Sequence, residues 1–332
     1  MNAGRLLSVE NLDVDFGVYR GRSRVLNGIS FNVDKGEKLG LVGETGCGKT
    51  TTLRALMRVL DPNARCSGKI LYTIAGQDKD IYAMNAAEML HLRRTEMSMI
   101  FQDPTSALNP VFTVGEQISS VIRANLVAKQ ESFSKNSVTE KAVKALADVF
   151  LPDPERILES YPFQLSGGMR QRICIAMSVA TERNLLLADE PGTSLDVTIQ
   201  DQILRLINTL VETKGMSFIL VSHSLGVVRK TSDRICIMYG GTIVESARTA
   251  DLFASPRHPY TRALLACVPK LGGTGIAEGI PGEMVNYINP PAGCRFHPRC
   301  TQAFRACREI QPRPVALGDG HTVSCHLYST GS

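Results

Sequence analysis

Gly43-Glu44-Thr45-Gly46-Cys47-Gly48-Lys49-Thr50 spaces glycines, a lysine and a threonine as phosphate chemistry requires. Small residues let successive backbone N–H groups turn inward, and the helix N-terminus that follows adds partial positive charge. Lys49 has the reach for β and γ oxygens, and the Thr50 hydroxyl suits Mg²⁺. A second set of chemical groups closes the apolar run Leu185-Leu186-Leu187-Ala188, where Asp189 and Glu190 stand side by side. Paired carboxylates at a strand end are costly unless they hold charge nearby. Asp189 is placed to hold Mg²⁺ through water, and Glu190 to polarise an attacking water. The run Ser217-Phe218-Ile219-Leu220-Val221-Ser222 then delivers His223 to a strand end, where it can contact the γ-phosphate or the water of Glu190.

The elements that must position these groups follow from periodicity. Leu39-Gly40-Leu41-Val42 reads as a buried strand entering the glycine loop, and Thr51 to Met57 as the helix leaving it. Leu7 to Phe16 and Val25 to Val33 alternate apolar and polar residues, predicting antiparallel strands ahead of the loop. Phe16 and Tyr19 lie there, and each is either a stacking surface for an adenine base or part of the core. From Ala87 to Arg183 the pattern is helical, interrupted by a loop over 101–110 that contains Gln102 and two prolines. Val114 to Ala128 has helical spacing, and Ser137-Val138-Thr139-Glu140 reads as a capping box opening a helix through about Val149, ended by Pro152 and Pro154. Ser166-Gly167-Gly168 precedes a helix over 170–180 and forms a second helix N-terminus suited to an anion.

Composition bounds the class. The chain has 332 residues, 43% hydrophobic and 21% charged, which is ordinary for a globular protein of one large and one smaller domain. No apolar run approaches the ~20 residues needed to cross a bilayer, and the first eight residues lack the apolar core of a signal peptide, predicting a cytosolic chain. A net charge of +5 is mild and spread out, consistent with a solvated surface. Nine cysteines without an export signal argue against a disulfide framework. Four of them, Cys294, Cys300, Cys307 and Cys325, cluster near the C-terminus and form a soft thiolate set suited to iron–sulfur or zinc. Their gaps are too wide for a zinc ribbon.

The order of glycine loop, Gln102 loop, Leu165-Ser166-Gly167-Gly168, Leu187-Ala188-Asp189-Glu190, Ser194-Leu195-Asp196 and His223 resembles the ATP-binding subunits of ABC transporters. Three further stretches resemble the oligopeptide, dipeptide and nickel importer branch: Gln102 to Pro110, His258-Pro259-Tyr260-Thr261-Arg262-Ala263-Leu264-Leu265, and Gly293-Cys294-Arg295-Phe296-His297-Pro298-Arg299-Cys300. The resemblance implies an α/β P-loop NTPase cassette with an antiparallel β subdomain and a helical subdomain, plus a small cysteine-rich C-terminal extension. The expected boundaries are 1–254 for the cassette, about 87–183 for the helical subdomain and 255–332 for the extension.

The resemblance also assigns roles. Gly43, Glu44, Thr45, Gly46, Cys47, Gly48, Lys49, Thr50 and Thr51, with Phe16, Tyr19 and Gln102, would bind ATP. Thr50, Gln102 and Asp189 would serve Mg²⁺; Glu190, His223 and Lys49 would be catalytic. Ser166, Gly167, Gly168 and Asp196 would contact the nucleotide of an opposite subunit. The four clustered cysteines would bind a [4Fe–4S] cluster, with zinc the alternative. The implied function is ATP hydrolysis powering import of peptides or a related solute, at the cytoplasmic face of the cell membrane. Implied partners are a second, related ATP-binding subunit, two membrane permeases and an extracytoplasmic solute-binding protein, with no nucleic acid. The rival is a soluble ABC ATPase acting on ribosomes or DNA, but the chain has one cassette and no sustained heptads. Departures from the pattern are Thr50 for a common serine, Cys47 for a small polar residue, Ser224 after the histidine and the run Gly192-Thr193-Ser194. None removes a catalytic group, and the last two bear on the dimer interface.

Overall fold

The computed structural model describes residues 4–19, 21–193, 196–267 and 279–329. The chain divides into two compact units, residues 1–83 with 220–332, and residues 84–219.

The first unit contains two sheets. Arg5–Val18 and Gly21–Asp34 pair antiparallel, and Ala64–Ile74 and Gln77–Asp80 extend that sheet on the side of Arg5–Val18. Leu7, Val9, Leu12 and Val14 are buried along the first strand and Leu26, Ile29, Phe31 and Val33 along the second, so the predicted alternation is real. The strands run longer at both ends than the apolar pattern, because backbone pairing continues where the side chains turn polar. The other sheet is built on Lys38–Val42, which runs parallel to Arg234–Tyr239. Both strands are almost wholly buried, as an apolar run in a parallel sheet must be. Thr242–Arg248 pairs antiparallel with Arg234–Tyr239, and the two-residue strands Thr322–Val323 and Val315–Ala316 continue outward from it.

The C-terminal residues are therefore knitted into this unit. Glu245, inside the sheet, accepts from the backbone N–H groups of Arg257 and His258 at 2.7 and 2.8 Å, and its Oε1 lies 2.7 Å from His321 Nε2. A buried carboxylate with this many partners ties two separate stretches, 257–258 and His321, to one strand.

In the second unit, Met97–Ile100 and Leu185–Asp189 form a parallel pair, both fully buried. Arg183 fixes the entry to that pair: its Nη1 donates to the carbonyls of Arg93 and Met97, and its Nε to Thr181 Oγ1 at 2.9 Å. Burial pulls this guanidinium down to about 10. The helices Val114–Ala128, Lys135–Asp148, Pro154–Glu159 and Gly167–Val179 pack on one another.

Four sequence expectations change here. The segment 101–110 is not all loop, since Pro104–Ala107 makes one helical turn capped by Asp103, whose side chain accepts from Thr105 and Ser106 N–H. Those bonds hold the Asp103 carboxyl below its ordinary range, the Thr105 N–H foremost. The strand Met97–Ile100 interrupts the helical stretch. The capping box at 137–140 sits one turn too late: Ser134 caps Lys135–Asp148, and its partner at the third position is Ser137. Pro154 opens the next helix at its first position instead of ending the last one. Among the described residues, no helix is long and apolar enough to cross a membrane.

Candidate functional site

The glycine loop lies in the first unit, between Lys38–Val42 and the helix Lys49–Leu56. Its close packing explains the glycines. A Cβ at Gly43 would stand 2.1 Å from the Met238 carbonyl oxygen, and Gly48 caps the helix in the left-handed region at φ 106°. Lys49 is only 4% exposed. Its Nζ donates to the loop's own carbonyls, Gly43 O at 2.7 Å and Glu44 O at 3.0 Å, and lies 3.8 Å from Cys47 Sγ. The lysine thus braces the loop by donating to two of its carbonyls. Cys47 is fully buried, and burial pushes its thiol up despite the neighbouring ammonium. This accounts for a cysteine at that position: it faces protein, not solvent. Thr45 and Gly46 are exposed, while Thr50 and Thr51 are half-buried.

Also in this unit, His223 is exposed directly after the strand Ser217–Ser222, and the Ser224 N–H donates to Ser222 Oγ at 3.0 Å. Phe16 is half-buried, and Tyr19 is fully exposed at the end of its strand.

The second unit holds the other predicted groups. Asp189 is 3% exposed at the end of its strand, and Glu190 follows with φ 45°. A left-handed conformation in a non-glycine residue is strained, and such strain concentrates at functional positions. Thr193 Oγ1 donates to both the carbonyl and the Oε2 of Glu190, each at 3.1 Å. The sequence reading treated 192–194 as a departure near the dimer interface and missed that Thr193 holds the carboxylate. Ser194 and Leu195 lie outside the described residues. Gln102 is exposed at the start of the capped turn. Ser166 caps the helix Gly167–Val179, its Oγ accepting the Met169 N–H at 3.3 Å, so Gly167 and Gly168 form the first turn rather than preceding it. Asp196 is likewise an exposed cap, accepting the Ile199 N–H at 3.0 Å.

Cys294, Cys300, Cys307 and Cys325 line one cavity of about 10 Å³, room for a single water. All four thiols are free, and burial raises Cys294 to about 11 and also raises Cys300 and Cys325. His258 Nδ1 accepts the Tyr260 N–H at 3.0 Å, and its buried Nε2, on the same cavity, has no partner. Yet among the described residues no three His, Cys, Asp or Glu side chains are arranged to hold a metal ion. The sequence expectation of a formed four-thiolate site is corrected to this extent: the cysteines line one cavity but are not arranged to hold a metal.

The strand, phosphate loop and helix of the first unit form the nucleotide-binding motif of a P-loop protein. A family profile described as "ABC transporter" matches residues 26–193, and one described as "Oligopeptide/dipeptide transporter, C-terminal region" matches residues 244–307. The chain belongs to the ABC transporter family, as an ATPase that carries the C-terminal region of the oligopeptide/dipeptide transporters. It is 41% identical to the dipeptide transport ATP-binding protein DppD of Bacillus subtilis (strain 168) over 97% of this chain and 95% of that one. It is also 41% identical to the oligopeptide transport ATP-binding protein OppD of the same organism, over 97% and 89%. The glutathione import ATP-binding protein GsiA of Escherichia coli (strain K12) is 43% identical over 82% of this chain and 43% of its own length. Among solved structures, the dimeric ATP-binding cassette MJ0796 bound to ADP and Pi superposes with a TM-score of 0.64 at 23% identity, covering 74% of this chain and 99% of that one. This likeness establishes the cassette fold.

Proposed function

We propose that the chain hydrolyses ATP to power import of a peptide-like solute through separate membrane permeases, as the peripheral subunit on their cytoplasmic face. The carrying observation is the phosphate loop, with Lys49 buried and donating to the carbonyls of Gly43 and Glu44. The C-terminal region and the dipeptide and oligopeptide relatives set the solute class. Nothing favours the ribosome or DNA reading. In this proposal the cassette spans 1–254, with the helical subdomain at about 87–183, and 255–332 is the extension. Lys49 and the loop amides hold the β and γ phosphates, and Phe16 or Tyr19 stacks on the adenine. Thr50, Gln102 and Asp189 hold Mg²⁺. Glu190 polarises the attacking water and His223 positions the γ-phosphate.

Ser166, Gly167, Gly168 and Asp196 serve the nucleotide of a second, related ATP-binding subunit. Ser166 is exposed at the N-terminus of a 13-residue helix, where an anion is favoured. Exposed Phe101, Val111 and Phe112 flank the Gln102 turn and provide an apolar docking face for a permease, with an extracytoplasmic solute-binding protein acting beyond it. A shared site makes activity depend on assembly: specific ATPase activity of the isolated chain is expected to be low and to rise more steeply than linearly with protein concentration or on adding the partner. High activity that stays constant on dilution of a demonstrated monomer would refute the shared site.

The finer proposal for Cys294, Cys300, Cys307 and Cys325 is a [4Fe–4S] cluster, with zinc the alternative. The donor types suit such a group, being four soft thiols on one cavity with the unpartnered His258 Nε2, but in this structure they are not arranged to hold it. The thiols must rearrange and deprotonate to bind it. When bound, the group would staple the loop-rich segment rather than carry electrons. Anaerobically purified protein is expected to be brown, absorbing broadly near ~400 nm with about four irons per chain. Colourless protein with stoichiometric zinc selects the alternative, and metal-free protein rejects both.

A further inference from the structure

Three side chains from beyond residue 255 close on the phosphate loop. Arg299 donates from Nη1 and Nη2 to the two carboxylate oxygens of Glu44, at 2.8 and 3.1 Å. The arginine side chain is 3% exposed and that of Glu44 25%. Arg299 is itself anchored, its Nε donating to Pro281 O at 2.9 Å and its Nη2 to Ile280 O at 2.7 Å. Tyr287 donates its hydroxyl to Gly46 O at 2.7 Å, and the Tyr260 hydroxyl accepts the Glu44 N–H at 3.0 Å. The Tyr260 ring packs against Tyr239 and Phe296, with centroids at 4.7 and 5.3 Å, so this anchor is rigid too.

The contacts fall on Glu44 and Gly46, positions that the glycine-lysine-threonine spacing leaves free, and none falls on Lys49. Their chemistry bears on anion binding in two ways. A carboxylate on a loop that receives phosphates repels them unless its charge is neutralised, and a buried bidentate guanidinium does this with fixed geometry. Holding one loop carbonyl and one loop N–H from outside fixes the peptide planes, which determines where the remaining amides point.

We propose that Arg299 is a positioning residue for ATP, acting through Glu44, and that Tyr260 and Tyr287 complete a clamp by which the C-terminal segment holds the phosphate loop in its anion-accepting shape. This rests on the loop's being the ATP site. The C-terminal region is thereby part of the nucleotide site and sets its affinity. Glu44 is the means: without Arg299 it is a stranded negative charge, and without Glu44 the guanidinium keeps its own anchors but loses its hold on the loop.

The test is a titration of the full chain with a fluorescent ATP analogue (mant-ATP), run as a double-mutant cycle. Arg299→Met is expected to weaken binding about tenfold or more, as loss of one partner from a buried, hydrogen-bonded charge pair does. In the Glu44→Gln background the same change is expected to cost under about threefold, since the two residues act as one unit. Arg299→Lys, which keeps the charge without the fork, is expected to fall between. Equal losses in both backgrounds overturn the proposal, because they assign Arg299 to folding the segment alone. So does an Arg299→Met chain that binds as tightly as wild type. If Arg299→Met does not fold, Arg299→Lys in the two Glu44 backgrounds supplies the cycle. A wild-type chain that does not bind the analogue overturns the ATP reading itself, an outcome distinct from a wild type that binds and variants that follow it unchanged.

Discussion

Glu190→Gln is expected to keep ATP binding and lower turnover by about 10²-fold or more, the range for removal of a general base. The substitution is nearly isosteric. The Thr193 hydroxyl donates to Glu190 Oε2 at 3.1 Å and can donate equally to an amide oxygen, and its second bond, to the backbone carbonyl, is untouched. Asp189 stays in its buried strand, so the proposed hold on Mg²⁺ is undisturbed. What is lost is the basicity of the carboxylate, which acts only when water attacks. The check pairs nucleotide affinity with single-turnover hydrolysis in the assembled complex. Unchanged affinity with turnover near wild type moves the base elsewhere. Lost affinity would mean that the carboxylate charge of Glu190 also contributes to holding the nucleotide.

How much of this was legible in the sequence depends on the range of the interaction. Val114–Ala128 was read to the residue, because helical spacing, a Thr113 cap and Glu116 three residues later are all local. Gly43 to Thr50 was legible for the same reason: strand, glycines, lysine and helix are contiguous. Met97–Ile100 was missed because a four-residue buried strand has no period of its own and is defined by its partner Leu185–Asp189, some 90 positions on. The cap on Lys135–Asp148 was misplaced because Ser134-x-x-Ser137 and Ser137-x-x-Glu140 are both plausible boxes, and only the latter ends in an acidic residue. Thr193 was seen as a departure rather than a partner of Glu190, since a backbone turn brings them together. Arg299, Tyr287 and Tyr260 were invisible as loop contacts. Each lies more than 200 residues from Glu44 or Gly46, and nothing local marks an arginine as the partner of a particular carboxylate.

Lys49→Met is expected to lower hydrolysis by about 10²–10³-fold, the loss typical when one preorganised charged donor is removed from developing charge. Unlike Glu190→Gln, it is expected to weaken ATP binding as well, because the ammonium meets the phosphates in the ground state and the transition state alike. Methionine is the informative replacement. The lysine is 4% exposed, so its stem fills a packed space that an unbranched thioether occupies with little strain. The structural cost is separate from the catalytic one: Gly43 O and Glu44 O lose their shared donor, held at 2.7 and 3.0 Å, and stability is expected to fall by roughly 1–3 kcal/mol. Thermal unfolding without nucleotide reads that cost alone. Hydrolysis at saturating ATP, with affinity measured on the same preparation, reads the rest. Lys49→Arg restores the charge but not the fit, since a planar guanidinium cannot donate to both carbonyls from the position of one Nζ. A Lys49→Met chain that keeps more than about a tenth of wild-type turnover would place the γ-phosphate's main cation elsewhere, with Lys49 left as a brace for the loop.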